Sequence, residues 1–233
     1  MKAARLYIAV AVLSALFCST AYSAIHCSGE PVRPRLMALC AEAECNYPPK
    51  GLTLIALKKE KRLEVWGADD CGRPRLVKEY EIWAASGDTG PKLREGDYQV
   101  PEGVYTVTRL NPNSRYHLSM KIDYPNAFDR KMAKHDRRRQ LGGDIFIHGN
   151  AKSKGCIAIG NAAIEELYGL VEDTGTSHVR VIIAPCDLRT GGALPVSGKL
   201  PKWTPTLYKK IAGEMAGYKR PVAPQKVLVS SNL

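Results

Sequence analysis

Over most of this chain the apolar residues fall into short blocks divided by turn residues. Leu52–Leu57 and Arg62–Trp66 flank the charged turn Lys58-Lys59-Glu60-Lys61 and predict a hairpin. Further strands are predicted at Leu76–Ala84, Gly103–Arg109, Tyr116–Ile122 and Asp144–His148, separated by Gly, Pro, Asn or Asp. Few helical patterns interrupt them. The expected fold is mainly β with a few helices, an antiparallel sandwich or barrel-like sheet.

The period changes after residue 160. Asn161 is placed to cap a helix in which Ile164, Leu167, Tyr168 and Val171 share one face, and Gly175 ends it. Val179–Ala184 then reads as a buried strand. A second amphipathic helix is predicted over Pro205–Tyr218, after a loose Gly/Pro segment at 190–204, and the last dozen residues read as a tail. There is no internal repeat.

At the start, Lys2 and Arg5 precede the apolar run Leu6–Phe17, which is short for a bilayer span and reads as an export signal. Small residues offer cleavage after Ser23 or Ala24, with an uncleaved anchor as the alternative. Phe17 before Cys18 fits a lipoprotein signal poorly. The expected organisation is a signal peptide at 1–23, a Cys/Pro-rich extension without its own core at 24–50, a catalytic domain at 51–187, and a linker, helix and tail at 188–233. The expected location is the periplasm or cell wall.

Of 233 residues, 45% are apolar, enough for one domain with a substantial core. The net charge is +11, and +9 once Lys2 and Arg5 are removed. A basic exported protein suits an anionic setting such as a membrane surface or a wall polymer, so peripheral membrane contact is an open expectation. The densest cluster, Arg130, Lys131, Lys134, Arg137, Arg138 and Arg139, reads first as a solvated loop and second as a docking patch for an acidic polymer. No aromatic-interleaved motif accompanies it, so no nucleic-acid partner is expected.

Six cysteines lie beyond the signal: Cys27, Cys40, Cys45, Cys71, Cys156 and Cys186. Export makes disulfides the default. The first four can pair in three ways that sequence does not separate, and their spacing is not a compact zinc pattern. A bridge between Cys156 and Cys186 would remove a thiol that the chemistry below requires.

The candidate chemistry lies at Ile145-Phe146-Ile147-His148-Gly149, followed by Ser153-Lys154-Gly155-Cys156. A β-branched run delivers an imidazole to a strand end, and a second glycine precedes a thiol in a polar turn. Imidazole beside thiol is the pairing that generates thiolate near neutral pH. Cys156 is therefore the candidate nucleophile and His148 the candidate base. The N–H groups of the Gly155–Cys156 turn are candidates for holding an oxyanion. Ser153 reads as a hydroxyl bonding its own turn before it reads as catalytic. Lys154 is expected in solvent, with a raised local potential as its functional reading. His117 is a candidate for the cleft or an ordinary strand histidine. His135 is expected exposed and His178 structural. No phosphate loop, dinucleotide fingerprint or His-Glu-x-x-His motif is present, so neither cofactor nor metal is expected.

These residues resemble the L,D-transpeptidase catalytic domain of the YkuD type, in which a strand-borne His-Gly precedes a Ser-x-Gly-Cys turn. The resemblance runs from about Leu52 to Pro185 and takes in Val100-Pro101-Glu102-Gly103-Val104-Tyr105. The eight-residue step from His148 to Cys156 and the segment Tyr124-Pro125-Asn126-Ala127-Phe128-Asp129-Arg130 are similar to the short-loop subgroup typified by YafK. Two features depart from the wider family: the short His-to-Cys stretch, which elsewhere helps wall the acceptor side, and Ala158, where many members carry arginine. The resemblance implies that Cys156 attacks a peptide carbonyl of a peptidoglycan stem peptide to form a thioester. It also implies that the Gly149 carbonyl orients His148, and that Arg115, Tyr116, Asp129 and Arg130 touch substrate. Transfer to an amine would cross-link wall or attach a lipoprotein, with a part in wall biogenesis and cell shape; water would make a hydrolase of such links. A non-catalytic wall-binding module is the competing class. A papain-like protease fits less well, because that class places cysteine before histidine.

Overall fold

The structure is a computed structural model that describes residues 26–27, 30–191, 195 and 200–221. The export signal and the tail beyond residue 221 lie outside the described residues, and no helix within them is long and apolar enough to cross a membrane.

A two-residue ribbon, β1 (His26–Cys27) and β2 (Glu30–Pro31), leads into α1 (Val32–Glu42). The remaining strands are β3 (Leu52–Leu57), β4 (Arg62–Ala68), β5 (Pro74–Glu81), β6 (Ala84–Ala85), β7 (Gly103–Ser114), β8 (His117–Ile122), β9 (Phe146–His148), β10 (Ile157–Ala158) and β11 (Val179–Ala184). The helices after α1 are α2 (Ala127–His135), α3 (Asn161–Thr174) and α4 (Thr204–Met215). Strands β3 to β11 form one sheet in the order β5-β4-β3-β11-β7-β8-β9-β10-β6. The molecule is mainly β with few helices, as the block pattern predicts, and its sheet is mixed. The β11–β3 and β10–β9 pairs run parallel and the others antiparallel. Parallel β11 and β3 lie centrally and are buried on both sides, which explains why Leu52–Leu57 is apolar without alternation.

Alternation instead distributes these two strands between two cores. Leu54, Ala56, Val181 and Ile183 face α3 and α1, whereas Ile55, Leu57, Ile182 and Ala184 face Leu207, Tyr208, Ile211 and Met215 of α4. The Cys/Pro-rich extension shares the first core through Val32, Leu36, Cys40 and Cys45. The expected disulfide staples are not formed among the described residues: Cys40, Cys45, Cys71, Cys156 and Cys186 are free thiols.

Two local expectations change. The cationic segment is not a loop throughout: Arg130, Lys131 and Lys134 lie on α2, and Arg137, Arg138 and Arg139 follow it. A capping box starts this helix, with the Asn126 side chain accepting from Asp129 N and the Asp129 carboxylate accepting from Asn126 N. Asn161 is the first residue of α3 and not its cap; Gly160, at φ +80°, holds that position. The Asn161 carboxamide accepts from the Asn150 N–H at 2.8 Å, fastening the loop after His148 to α3.

Candidate functional site

His148 ends β9 between Ser119 of β8 and Ala158 of β10. Ile157 pairs with Ile147, so Cys156, one residue earlier, lies across from Phe146. Phe146 and His148 point the same way on β9, because side chains alternate with period two. The thiol and the imidazole thus occupy one face of adjoining parallel strands, two residues out of step.

The imidazole is fixed. Its Nδ1 lies 2.6 Å from the Gly149 carbonyl oxygen, which only accepts, so Nδ1 carries the proton and Nε2 holds a lone pair. The Tyr116 ring covers it at 4.5 Å between centroids, and the residue is 1% exposed. Burial holds the His148 pKa below its ordinary 6.5, against the opposing pull of the Gly149 hydrogen bond. The family-implied role of the Gly149 carbonyl therefore has its geometry. Gly149 itself must be glycine, since an added Cβ would lie 2.7 Å from the Tyr116 carbonyl oxygen and 2.8 Å from Asn161 Oδ1.

Cys156 is half-buried, with Sγ 3.7 Å from the Asp144 carbonyl oxygen. Burial raises its pKa above the ordinary 9.0, opposed by the Phe146 backbone N–H and by the Lys92 charge. No hydrogen bond joins Sγ to His148 among the described residues. The resting site thus holds a neutral thiol and a neutral imidazole rather than the preformed thiolate that the pairing alone predicts.

The turn that carries Cys156 is built by hydroxyls. Ser153 Oγ accepts from Cys156 N at 3.0 Å and donates to Cys156 O at 2.6 Å, which is the turn-bonding role. Gly155, at φ +93°, donates its N–H to Ser86 Oγ at 2.6 Å, and Ser86 Oγ donates to the Tyr98 carbonyl at 2.7 Å. Both N–H groups assigned to an oxyanion are therefore bonded to side-chain hydroxyls, a correction to that expectation. Ser86 was not legible from sequence, because β6 is two residues long and reaches β10 only through tertiary pairing.

The other expected contacts divide. Tyr116 belongs to the site. Lys154 is exposed, its Nζ 5.9 Å above the Tyr98 ring. Arg115 is exposed in the β7–β8 turn. His117 is engaged by Glu165 of α3. Asp129 is occupied by the α2 capping box and by the Tyr105 hydroxyl at 3.5 Å; burial pushes its pKa up to about 6. Arg130 is exposed and donates to the Pro125 carbonyl.

Exposed rings that the sequence did not single out border the site. Tyr98 adjoins the Gly155 turn, and Trp83 lies over Gly160 with its backbone N–H on Ala158 O. With Tyr116 they are three of the four exposed large hydrophobic residues described, and the fourth, Met37, is on α1. The segment carrying Ser86 and Tyr98 is held from beneath. Lys58 Nζ donates to the carbonyls of Asp88, Gly90 and Val100 and to Glu102 Oε1. Glu102, fully buried, also accepts from Gly90 N and from the Tyr208 hydroxyl. This is the structural reason for the Val-Pro-Glu-Gly-Val-Tyr segment.

A mainly β fold that sets a strand-end histidine beside a Ser-x-Gly-Cys turn defines the L,D-transpeptidase class. Residues 53–183, more than half of the chain, match the L,D-transpeptidase catalytic domain, YkuD, and the chain belongs to that family. It is 39% identical over 116 residues to "Putative L,D-transpeptidase YafK" of Escherichia coli K12, a match covering 48% of this chain and 45% of the relative. The chain thus spans about half the length of the curated relatives it matches. Among solved structures it is similar to the helical cell shape determining protein Pgp2 from Campylobacter jejuni, with TM-score 0.50, 29% identity, and coverage of 59% of this chain and 48% of that one.

Proposed function

We propose that this protein is an exported, cysteine-dependent peptidoglycan L,D-transpeptidase that works on stem peptides through a thioester on Cys156. The observation that carries the reading is the His148 Nδ1–Gly149 O bond of 2.6 Å, which leaves Nε2 free as a base on the face that Cys156 shares. Sγ attacks the peptide carbonyl carbon while its proton passes to His148 Nε2. The C–N bond then breaks, the imidazolium returns that proton to the leaving amine, and the acyl group stays on sulfur. Proton transfer requires Sγ and Nε2 to come within hydrogen-bond reach in the loaded site, where catalytic hydrogen bonds tighten.

An incoming amine completes transfer. Hydrolysis is the second reading, favoured by the short exposed turn after His148: Asn150, Ala151, Lys152 and Lys154 all face solvent and leave the acceptor side of a half-buried thiol open. The similarity to a protein named for helical cell shape supports a part in wall remodelling in the periplasm. A wall-attached lipoprotein is a candidate acceptor or leaving group, and the basic surface supports peripheral contact with an anionic membrane.

The test is intact-mass spectrometry of the protein with muropeptides and with a carbapenem, with and without an acceptor amine. A covalent adduct on Cys156 is expected, absent in Cys156→Ala and in His148→Ala. Amine-dependent products establish transfer, and release without transfer establishes the hydrolase. An unlabelled thiol with unchanged wall binding in Cys156→Ala would replace the enzyme with a binding module.

A further inference from the structure

Beside α2 lies a groove of about 510 Å³ rimmed by five cations, Arg130, Lys134, Arg137, Arg138 and Arg139, over an apolar floor. Two of them have partners: Arg130 donates to the Pro125 carbonyl, and Arg138 bonds the Leu93 carbonyl and Asp136. Asp136 pairs with Arg138 at 3.1 Å and also accepts from the Trp203 indole, so it offsets one of the five charges. Lys134, Arg137 and Arg139 are exposed, and their side chains make no hydrogen bond or ion pair among the described residues. Five cations gathered around one concavity with one carboxylate paired among them still repel one another, a cost that an anionic occupant removes.

The groove connects to the thiol. Leu141 lines it, and three residues further along the same chain the Asp144 carbonyl stands 3.7 Å from Cys156 Sγ. Three extended residues span at most about 11 Å. An acyl chain bound at Cys156 therefore lies within a few residues' length of the edge of the groove at Leu141. Guanidinium forks match planar carboxylates in bidentate geometry, and four of the five rim cations are arginines, three of them consecutive at 137–139.

We propose that this groove is a subsite for an acidic peptide segment, the carboxylate-bearing part of the chain acylated at Cys156. The assignment rests on the thioester reading for its substrate and deepens it by naming what sets specificity. Concavity and closeness to the thiol favour a peptide over a membrane surface.

The experiment uses the full chain as Cys156→Ala, which binds without turnover, titrated with a labelled acidic stem peptide and with the same peptide carrying amides in place of carboxylates. The acidic peptide binds more tightly, its affinity falls with added salt, and the double variant Arg137→Gln/Arg139→Gln weakens it about tenfold while leaving the amidated peptide unaffected. Lys59→Gln, a lost charge elsewhere on the surface, retains the affinity. With the Cys156 thiol restored, the double variant raises KM for the acidic substrate and holds kcat. Equal affinities for the two peptides, or an indifferent double variant, overturn the proposal. So does capture by anionic phospholipid vesicles with no preference between peptides. Groove-dependent binding without any adduct on Cys156 overturns only the thioester reading, and an adduct with groove-independent binding overturns only this one.

Discussion

At the scale of single residues, burial decides the resting chemistry. It depresses the His148 imidazole and elevates the Cys156 thiol, so at neutral pH both are uncharged, and on the proposed mechanism the proton moves only during attack. Acylation should therefore fall only when His148 becomes protonated, with an acidic midpoint below 6.5 in single-turnover measurements. A midpoint above that value contradicts a buried neutral imidazole. Asp129 offers a stability test. Its pKa rises from 3.8 to about 6, so between those values the folded state holds the extra proton and stability declines as pH rises through the window. Asp129→Asn should flatten urea midpoints between pH 4 and 6. A variant that keeps the wild-type slope assigns it to other groups.

At the scale of elements, period-two and period-3.6 patterns were enough to find most of the sheet, α3 and α4. The β11 limits, Val179–Ala184, agree residue for residue, because five of its six residues are apolar and buried, with Arg180 the one exposed position. Helix α2 was missed because its charges hide any apolar stripe: Ala133 is its one buried residue, and its start is set by the Asn126–Asp129 box rather than by hydrophobic period. Helix α1 was missed because Pro34 and the cysteines read as loop signals, although proline is tolerated in a first helical turn. The junction of β9 with α3 is the least tolerant joint. Gly149→Ala should lower stability by about 1–3 kcal/mol, since the new methyl meets backbone and a helix that cannot easily retreat. Thermal unfolding within error of wild type would show that the loop yields.

Across the whole molecule, the extension before residue 51 is part of the main core rather than an appendage. Leu36 is 1% exposed against α3, and Leu36→Ala should cost about 2–5 kcal/mol, as at a central position such as Leu54. Urea unfolding that reports a loss below about 1 kcal/mol would mean that α1 is dispensable to the fold. The same tertiary assembly brings Ser86, Tyr98 and Trp83 to the thiol from a segment some seventy residues earlier. It anchors that segment through Lys58 and Glu102, one of which sits in a turn that read only as charged.

Local chemistry in the chain determined the strand blocks, the imidazole and thiol and the glycines beside them, because each depends on neighbours a few positions away; the carbonyl that orients the ring came from the family resemblance. Folding alone decided that the turn amides bond to hydroxyls, that the thiol rests protonated, that His117 and Asp129 serve α3 and α2, and that a cationic groove forms beside α2. Those outcomes depend on burial and on pairing across the sheet, which no short window of sequence contains.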